Sequence, residues 1–321
     1  MKSWLAALLA VATVVFGTGI ATAQQFPQKP VRIVLPFPPG GATDGLARIL
    51  GEKLTDMWKQ QIIVDNRPGA GGNIAADLVA RTQGDGYTYF FTGLNLAANL
   101  SLYSKLGHDP VKDFTPVTQV VAINTFLVAH PSLPVNSVKD VLALARAQPG
   151  KILYASGGNG SSPHMAMELF KMLAKINVVH VPYKGTLSVV GMLQGETALI
   201  FENLISVGAH LKSGKLKALA VGSSKRSPSM PSLPTIAEAG VPGYDMVLWF
   251  GLVAPTGTPR PIINQVQRDI QTITRMPDVK ARLATLDADP VVTTPEQFDA
   301  FIKAEIQKWA RVVKAASLKV D

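Results

Sequence analysis

VRIVLPFPPGGATDGLARIL, residues 31–50, is the stretch whose reading decides the fold. Val31 to Leu35 is a short apolar run rich in β-branched side chains, and it stops at a proline, as a buried strand does. Pro36-Phe37-Pro38-Pro39-Gly40-Gly41-Ala42-Thr43-Asp44 cannot continue that strand, because prolines withhold ladder donors and glycines favour turns. Beyond it Leu46, Ile49, Leu50, Leu54 and Met57 recur at helical spacing. The unit is strand, glycine-rich loop, helix.

The same alternation extends outward. Gln61 to Asp65 reads as a strand, Asn73 to Arg81 as a helix, Tyr87 to Thr92 as a strand, and Phe114 to His130 as a long β-rich passage broken by Pro116. Val138 to Gln148, Pro163 to Ala174 and Thr186 to Gln194 read as helices, between extended runs at Ile152 to Ala155, Val178 to Val181, Leu199 to Phe201 and Ala218 to Val221. A second β-rich passage, Met246 to Ala254, precedes a helical C-terminal third whose helix starts are marked by Pro259, Pro277 and Pro295. Strands separated by helices predict α/β architecture with parallel or mixed sheets. Two such units joined by two long extended passages predict two lobes and a hinge.

Lys2, the apolar stretch Leu5 to Phe16 and the A-x-A site Ala21-Thr22-Ala23 predict a cleavable signal peptide over residues 1–23, with mature protein starting at Gln24. The apolar stretch falls short of the roughly 18 residues that span a bilayer. No later segment is long and apolar enough, so the remainder is expected to be soluble. Removing 23 of 321 residues leaves 298, which suits two domains or one large one. Losing Lys2 takes the formal net charge from +9 to +8. Lys and Arg are spread along the chain and aromatics are 7% of residues, so no nucleic-acid surface is expected. The absence of cysteine excludes disulfides, thiol catalysis and thiolate metal sites.

Four loops follow a strand and precede a helix, so they fall at sheet carboxyl edges, where open α/β sheets bind ligands. Beside Pro36 to Asp44 they are Asn66 to Gly72, Ser156 to His164 and Pro182 to Thr186. Glycine lets backbone N–H groups approach a ligand, and a helix N-terminus adds partial positive charge, so such loops suit carboxylate or phosphate. The P-loop and dinucleotide glycine patterns are both missing. Metal chemistry finds no H-E-x-x-H among His108, His130, His164, His180 and His210, and no cofactor is expected. Hydrolase chemistry finds no G-x-S-x-G. Ser162 before Pro163 reads as a helix N-cap ahead of a nucleophile, with Ser156 and Ser161 nearby. His164 either donates to a ligand or satisfies local backbone. Glu202, after Leu199-Ile200-Phe201, orients a ligand amine, holds a lobe-closing contact or caps the next helix. Tyr183 and Lys184 occupy a short loop that a ligand can reach.

Pro36 to Gly41 with Asp44 and Arg48, Asn66 to Gly72, and Val181-Pro182-Tyr183-Lys184-Gly185 resemble the Bug receptors, the solute-binding proteins of tripartite tricarboxylate transporters. The resemblance continues through Asp85 to Thr88, Asp113 to Val117, Leu233-Pro234-Thr235, Ala254 to Pro259 and Lys308-Trp309, covering essentially the whole mature chain. It implies a type II-like Venus flytrap, with one lobe from residues 24–124 plus 247–321 and the other from 125–246. It also implies a periplasmic, non-enzymatic receptor that passes a small carboxylate to a membrane permease. A ligand-presenting sensor, or an exported enzyme acting on a carboxylate, are the alternatives, and a monomer is expected. The first three glycine-rich loops, with Tyr183, are implied to surround the ligand. Gly40, Gly41, Thr43, Asp44, Ala70, Gly71, Gly72, Ser156, Ser161, Ser162, His164 and Glu202 join Tyr183 as candidates, and Phe37 offers an aromatic face. Backbone N–H groups at Gly41 and Ala70 to Gly72 are expected to hold one carboxylate. The chain departs from the family at Glu202, where aspartate is expected, and at Asn99-Leu100, where proline usually follows asparagine.

Overall fold

The computed structural model describes residues 26–320; the expected signal peptide and its cleavage site lie outside the described residues. In the first sheet β1 (Val31–Leu35) lies between β2 (Ile62–Asn66) and β3 (Thr88–Gly93), parallel to both. Beyond β3 follow β10 (Val247–Pro255), β4 (Phe114–Asn124) and β11 (Ala288–Pro290), each antiparallel to its neighbour. The second sheet runs β7 (Val179–Pro182), β6 (Leu153–Ser156), β8 (Leu199–Glu202), β5 (Phe126–Ala129), β9 (Lys217–Val221). There β6 is parallel to β7 and β8, while β5 is antiparallel to β8 and β9. Both sheets are therefore mixed. β10 and β11 run against the other strands of the first sheet and β5 against those of the second, and the chain passes between the sheets from β4 into β5 and again from β9 into β10.

The helices are α1 (Ala42–Trp58), α2 (Asn73–Ala80), α3 (Leu94–Leu102), α4 (Val138–Ala147), α5 (Ser162–Ala174), α6 (Leu187–Leu193), α7 (Leu204–Lys212), α8 (Arg260–Thr274), α9 (Pro277–Thr285) and α10 (Pro295–Ala315). They cover both faces of each sheet. β3 shows why: Tyr89 and Phe91 join one buried cluster with Leu46, Leu50 and Ile270, while Phe90 joins another with Val79, Leu102 and Phe298. Successive strand residues point to opposite faces, so a run buried throughout needs cover on both. The second cluster is continuous across the two sheets, running from Phe90 and Phe298 through Trp249 and Met246 to Phe201 and Phe170. Trp249 and Trp309 both donate from Nε1 to Glu305 Oε2, at 3.0 and 2.9 Å, which satisfies an otherwise costly buried acid on α10.

Three sequence expectations change. Phe114 to His130 is two strands in different sheets, parted at Thr125 and not at Pro116. Pro116 sits inside β4 where the pairing with β10 shifts register between Leu252 and Val253, an irregularity that tolerates a missing N–H. Ser161, not Ser162, is the N-cap of α5, and its hydroxyl donates to the Gly158 carbonyl at 2.7 Å instead of accepting a helix amide. The C-terminal third also contains a strand, β11.

At the crossings, Thr125 Oγ1 donates to the Met246 carbonyl at 3.0 Å. The Gly222 amide donates to the Thr125 carbonyl at 2.6 Å, and the Met246 amide to the Gly222 carbonyl at 2.8 Å. The two connections are thereby bound to one another.

Candidate functional site

A cavity of about 550 Å³ opens where both sheets present their loops. The first sheet contributes Pro36, Phe37, Thr43, Gly71, Gly72, Asn95, Asn99 and Tyr103; the second contributes Gly157, Asn159 to Ser162, Gly185, Thr186, Phe201, Glu202, Asn203 and Ser206. Thr125 and the crossing strand residues Leu248, Trp249 and Phe250 complete the wall, with Val320 closing one side.

Each loop is shaped by its own hydrogen bonds. Asp44, in the first turn of α1, accepts from the Gly40 amide at 3.0 Å and from Arg48, Nε to Oδ2 at 2.9 Å. Asn66 Nδ2 donates to Asp44 Oδ1 at 3.1 Å and to the Phe37 carbonyl at 3.0 Å, joining the first two loops. The Arg48 guanidinium, helped by the Gly40 amide and Asn66, outweighs desolvation and holds the Asp44 carboxyl below its ordinary range. Asp44 is thus a buried brace behind the loop. In the second loop Asn99 Nδ2 donates to the Gly71 carbonyl at 3.1 Å and to Asn73 Oδ1 at 2.7 Å. Gly72 has φ +98°, and a Cβ there would lie 2.5 Å from Asn95 Nδ2 and 2.9 Å from Pro36 Cβ. Only glycine fits that corner.

The third loop rests on a buried polar stack. His164 and His180 lie ring on ring at 4.0 Å, with Tyr154 stacked on His180 at 4.9 Å. His180 Nε2 is 2.6 Å from Ser156 Oγ, and His164 Nδ1 accepts from the Gly160 amide at 3.0 Å. Burial, with the nearby His180 and Lys171, pushes the His164 imidazole down to about 3. It is a neutral acceptor that holds backbone.

The expected site residues therefore divide. Phe37, Thr43, Gly71, Gly72, Ser161, Ser162 and Glu202 line the cavity together. Gly40, Gly41, Asp44, Ala70, Ser156, His164 and Tyr183 are not on its wall. Tyr183 turns its ring onto Gly191 of α6 and donates its hydroxyl to Glu196 Oε2 at 2.8 Å. The Gly72 amide is taken by the Gly69 carbonyl at 2.8 Å within its own turn, and the Gly40 amide by Asp44. Sequence reasoning missed Asn95, Asn99, Thr125, Trp249 and Val320. Asn95 and Asn99 carried a signal, since a four-residue spacing puts both on one face of α3.

Among the described residues the wall holds no Lys, Arg or His, and Glu202 is its one carboxylate. N-caps or first turns of α1, α2, α3, α5 and α7 face the space through Thr43, Gly72, Asn95, Ser162 and Asn203. Each such helix end carries roughly half a positive charge. Among the described residues the Thr43 and Ser162 hydroxyls make no protein hydrogen bond, and so can donate into the cavity. Positive helix ends, donors and aromatic walls suit an anion with an apolar body.

The family profile described as tripartite tricarboxylate transporter family receptor matches residues 46–318. The chain belongs to that family. Protein BugT of Bordetella pertussis is 38% identical over 320 residues, covering 98% of each chain. Among solved structures, Rpa4515 of R. palustris with adipate is 36% identical with a TM-score of 0.81, covering 92% of this chain and 100% of that one. MatC of Rhodopseudomonas palustris with bound malate is 32% identical with a TM-score of 0.76, covering 90% of this chain and 100% of that one. Members of this receptor family are periplasmic solute-binding proteins, and the two-lobed α/β fold is theirs.

Proposed function

We propose that this receptor captures a small organic carboxylate in the cavity between its lobes and delivers it, as an exported monomer, to the permease subunits of a tripartite tricarboxylate transporter. The observation that carries the reading is a cavity ringed by helix N-termini whose wall, among the described residues, bears no basic side chain. Relatives solved with adipate and malate support a carboxylate. The lobes are residues 24–124 plus 247–321 and 125–246, and they close by rotation where Thr125, Gly222 and Met246 bind the crossings together. The Thr43, Gly71 and Ser162 region holds one carboxylate, with the Thr43 and Ser162 hydroxyls donating and Phe37 flanking the ligand body. In this reading the protein performs no chemistry on its ligand: the Ser156–His180 pair and His164 all stand off the cavity wall, and His164 Nδ1 is taken by the Gly160 amide.

Melting of protein refolded from denaturant tests this against carboxylic acids and their amides or methyl esters. A ligand at roughly 100 times Kd stabilises the folded state by about 2.7 kcal/mol, raising Tm by roughly 4 °C for a chain of this size. At least one free acid produces the shift and its ester does not. Shifts from sugars or cationic amines alone would overturn the assignment.

A further inference from the structure

Among the described residues Glu202 is the one acid on the cavity wall, and no Lys, Arg or His among them forms an ion pair with it. It ends β8, opposite Phe126 in register, so it stands one residue from the Thr125 crossing. Its two hydrogen bonds both fall on Oε2, from the Asn203 amide at 3.1 Å and from Asn203 Nδ2 at 3.2 Å. Ser206 also favours the charged form, and no lysine, arginine or histidine among the described residues reaches either oxygen. A half-buried carboxylate that faces the cavity is best satisfied by a donor on the ligand, since the described wall supplies no cation to pair with it. The charged ends of the helices can hold one carboxylate of a ligand elsewhere in the cavity. A second carboxylate brought against Glu202 would set two like charges side by side, and one of them would have to be protonated first.

We infer that the ligand of this receptor carries one carboxylate and, at its other end, a hydroxyl or ammonium group that donates to Glu202. The inference rests on the receptor reading above and adds the ligand's second functional group. Glu202 is then the residue that separates this chain's choice from a dicarboxylate such as the adipate of Rpa4515. A cavity of about 550 Å³ admits acids of either kind, so size alone does not discriminate. Burial, opposed only in part by Asn203 and Ser206, raises the Glu202 pKa, so a dicarboxylate can enter once Glu202 is protonated. Its binding then takes up one proton.

Calorimetry on the refolded, unmodified protein with adipate, 6-hydroxyhexanoate, 6-aminohexanoate, succinate, 4-hydroxybutyrate and 4-aminobutyrate tests this at pH 6 and pH 8, in buffers of different ionisation enthalpy. At least one hydroxy or amino acid binds tighter than the dicarboxylate of equal length at pH 8. Dicarboxylate affinity improves by up to about tenfold per pH unit on acidification, with one proton taken up per ligand. Glu202→Gln, its fold checked by melting, weakens the hydroxy or amino acid about tenfold or more and tightens the dicarboxylate. Dicarboxylate binding to the unmodified protein without pH dependence or proton uptake overturns the inference and leaves the receptor reading intact. So does Glu202→Gln binding the whole series as the parent does. If none of these acids binds, while sugars or amines without a carboxylate do, both readings fail together.

Discussion

The Gly160 amide donates to Nδ1 of His164 across 3.0 Å, so a residue outside the cavity wall sets the path of a loop that lines it. Protonating Nδ1 destroys that bond, and burial together with the His180 and Lys171 charges holds the folded-state pKa near about 3, below an unfolded value of about 6.5. The unfolded chain takes up the proton first, so this contribution is complete above about pH 6.5 and declines as pH falls toward about 3. His180, depressed by burial, acts in the same direction. For His164 alone the slope approaches about 1.4 kcal/mol per pH unit. Urea unfolding at pH 4.5, 5.5, 6.5 and 7.5 checks this: the parent loses stability below pH 6.5, and His164→Asn shows a flatter profile over that window. Asp44 is shifted in the same direction, its folded pKa held below its usual value, so its contribution too is lost as pH falls, but only under about pH 4.

Gly72→Ala tests the corner between the two loops. The added Cβ meets Asn95 and Pro36, and the residue must keep a left-handed φ of +98°. The variant is expected to lose about 1 to 3 kcal/mol of stability and most of its ligand affinity. Gly41 contrasts with it, since a Cβ there meets nothing within 4 Å. Gly41→Ala is expected to fold and melt like the parent, and its effect on binding reports how closely a ligand approaches that backbone. Chemical unfolding and ligand titration of both variants separate the two outcomes.

Gly222→Ala tests the crossings. A Cβ at Gly222 would sit 2.5 Å from Thr125 Oγ1 and 2.8 Å from the Met246 carbonyl, so the crossings must part to admit it. Small-angle scattering of the refolded parent should show a smaller radius of gyration with saturating ligand than without. The variant is expected to close less completely and to bind more weakly while keeping its secondary structure. Equal radii and affinities in parent and variant would place the hinge elsewhere.

Val320 donates its amide to the Leu102 carbonyl at 3.1 Å, and its side chain faces Gly160 across the cavity rim. The last described residues thus reach from α3 toward the third loop, on the opposite sheet. A chain stopped after Ala316 is expected to fold, because α10 ends at Ala315, and to release ligand about tenfold faster. Stopped-flow displacement measures that rate.

The α/β class, the two extended crossings and the loops Pro36 to Asp44, Asn66 to Gly72 and Ser156 to His164 are legible in the sequence, because each depends on local periodicity or on where proline and glycine interrupt it. Residues 31–58 need little more than their own pattern to become a strand, a turn and a helix. The split of Phe114 to His130 at Thr125 is not local: both halves are equally β-rich, and only pairing with β10 on one side and with β8 and β9 on the other assigns them to different sheets. Which side chains face the cavity is likewise decided by packing. Tyr183 and His164 stand in the expected loops, yet Gly191 and Glu196 draw the tyrosine to one side, and the His180 stack with the Gly160 amide holds the imidazole beneath the backbone. Glu202 is visible in the sequence as an acid at a strand end. That it stands on the cavity wall without a basic side chain beside it depends on five helices and two crossing strands converging from distant parts of the chain, a property of the assembled fold that no window of sequence contains.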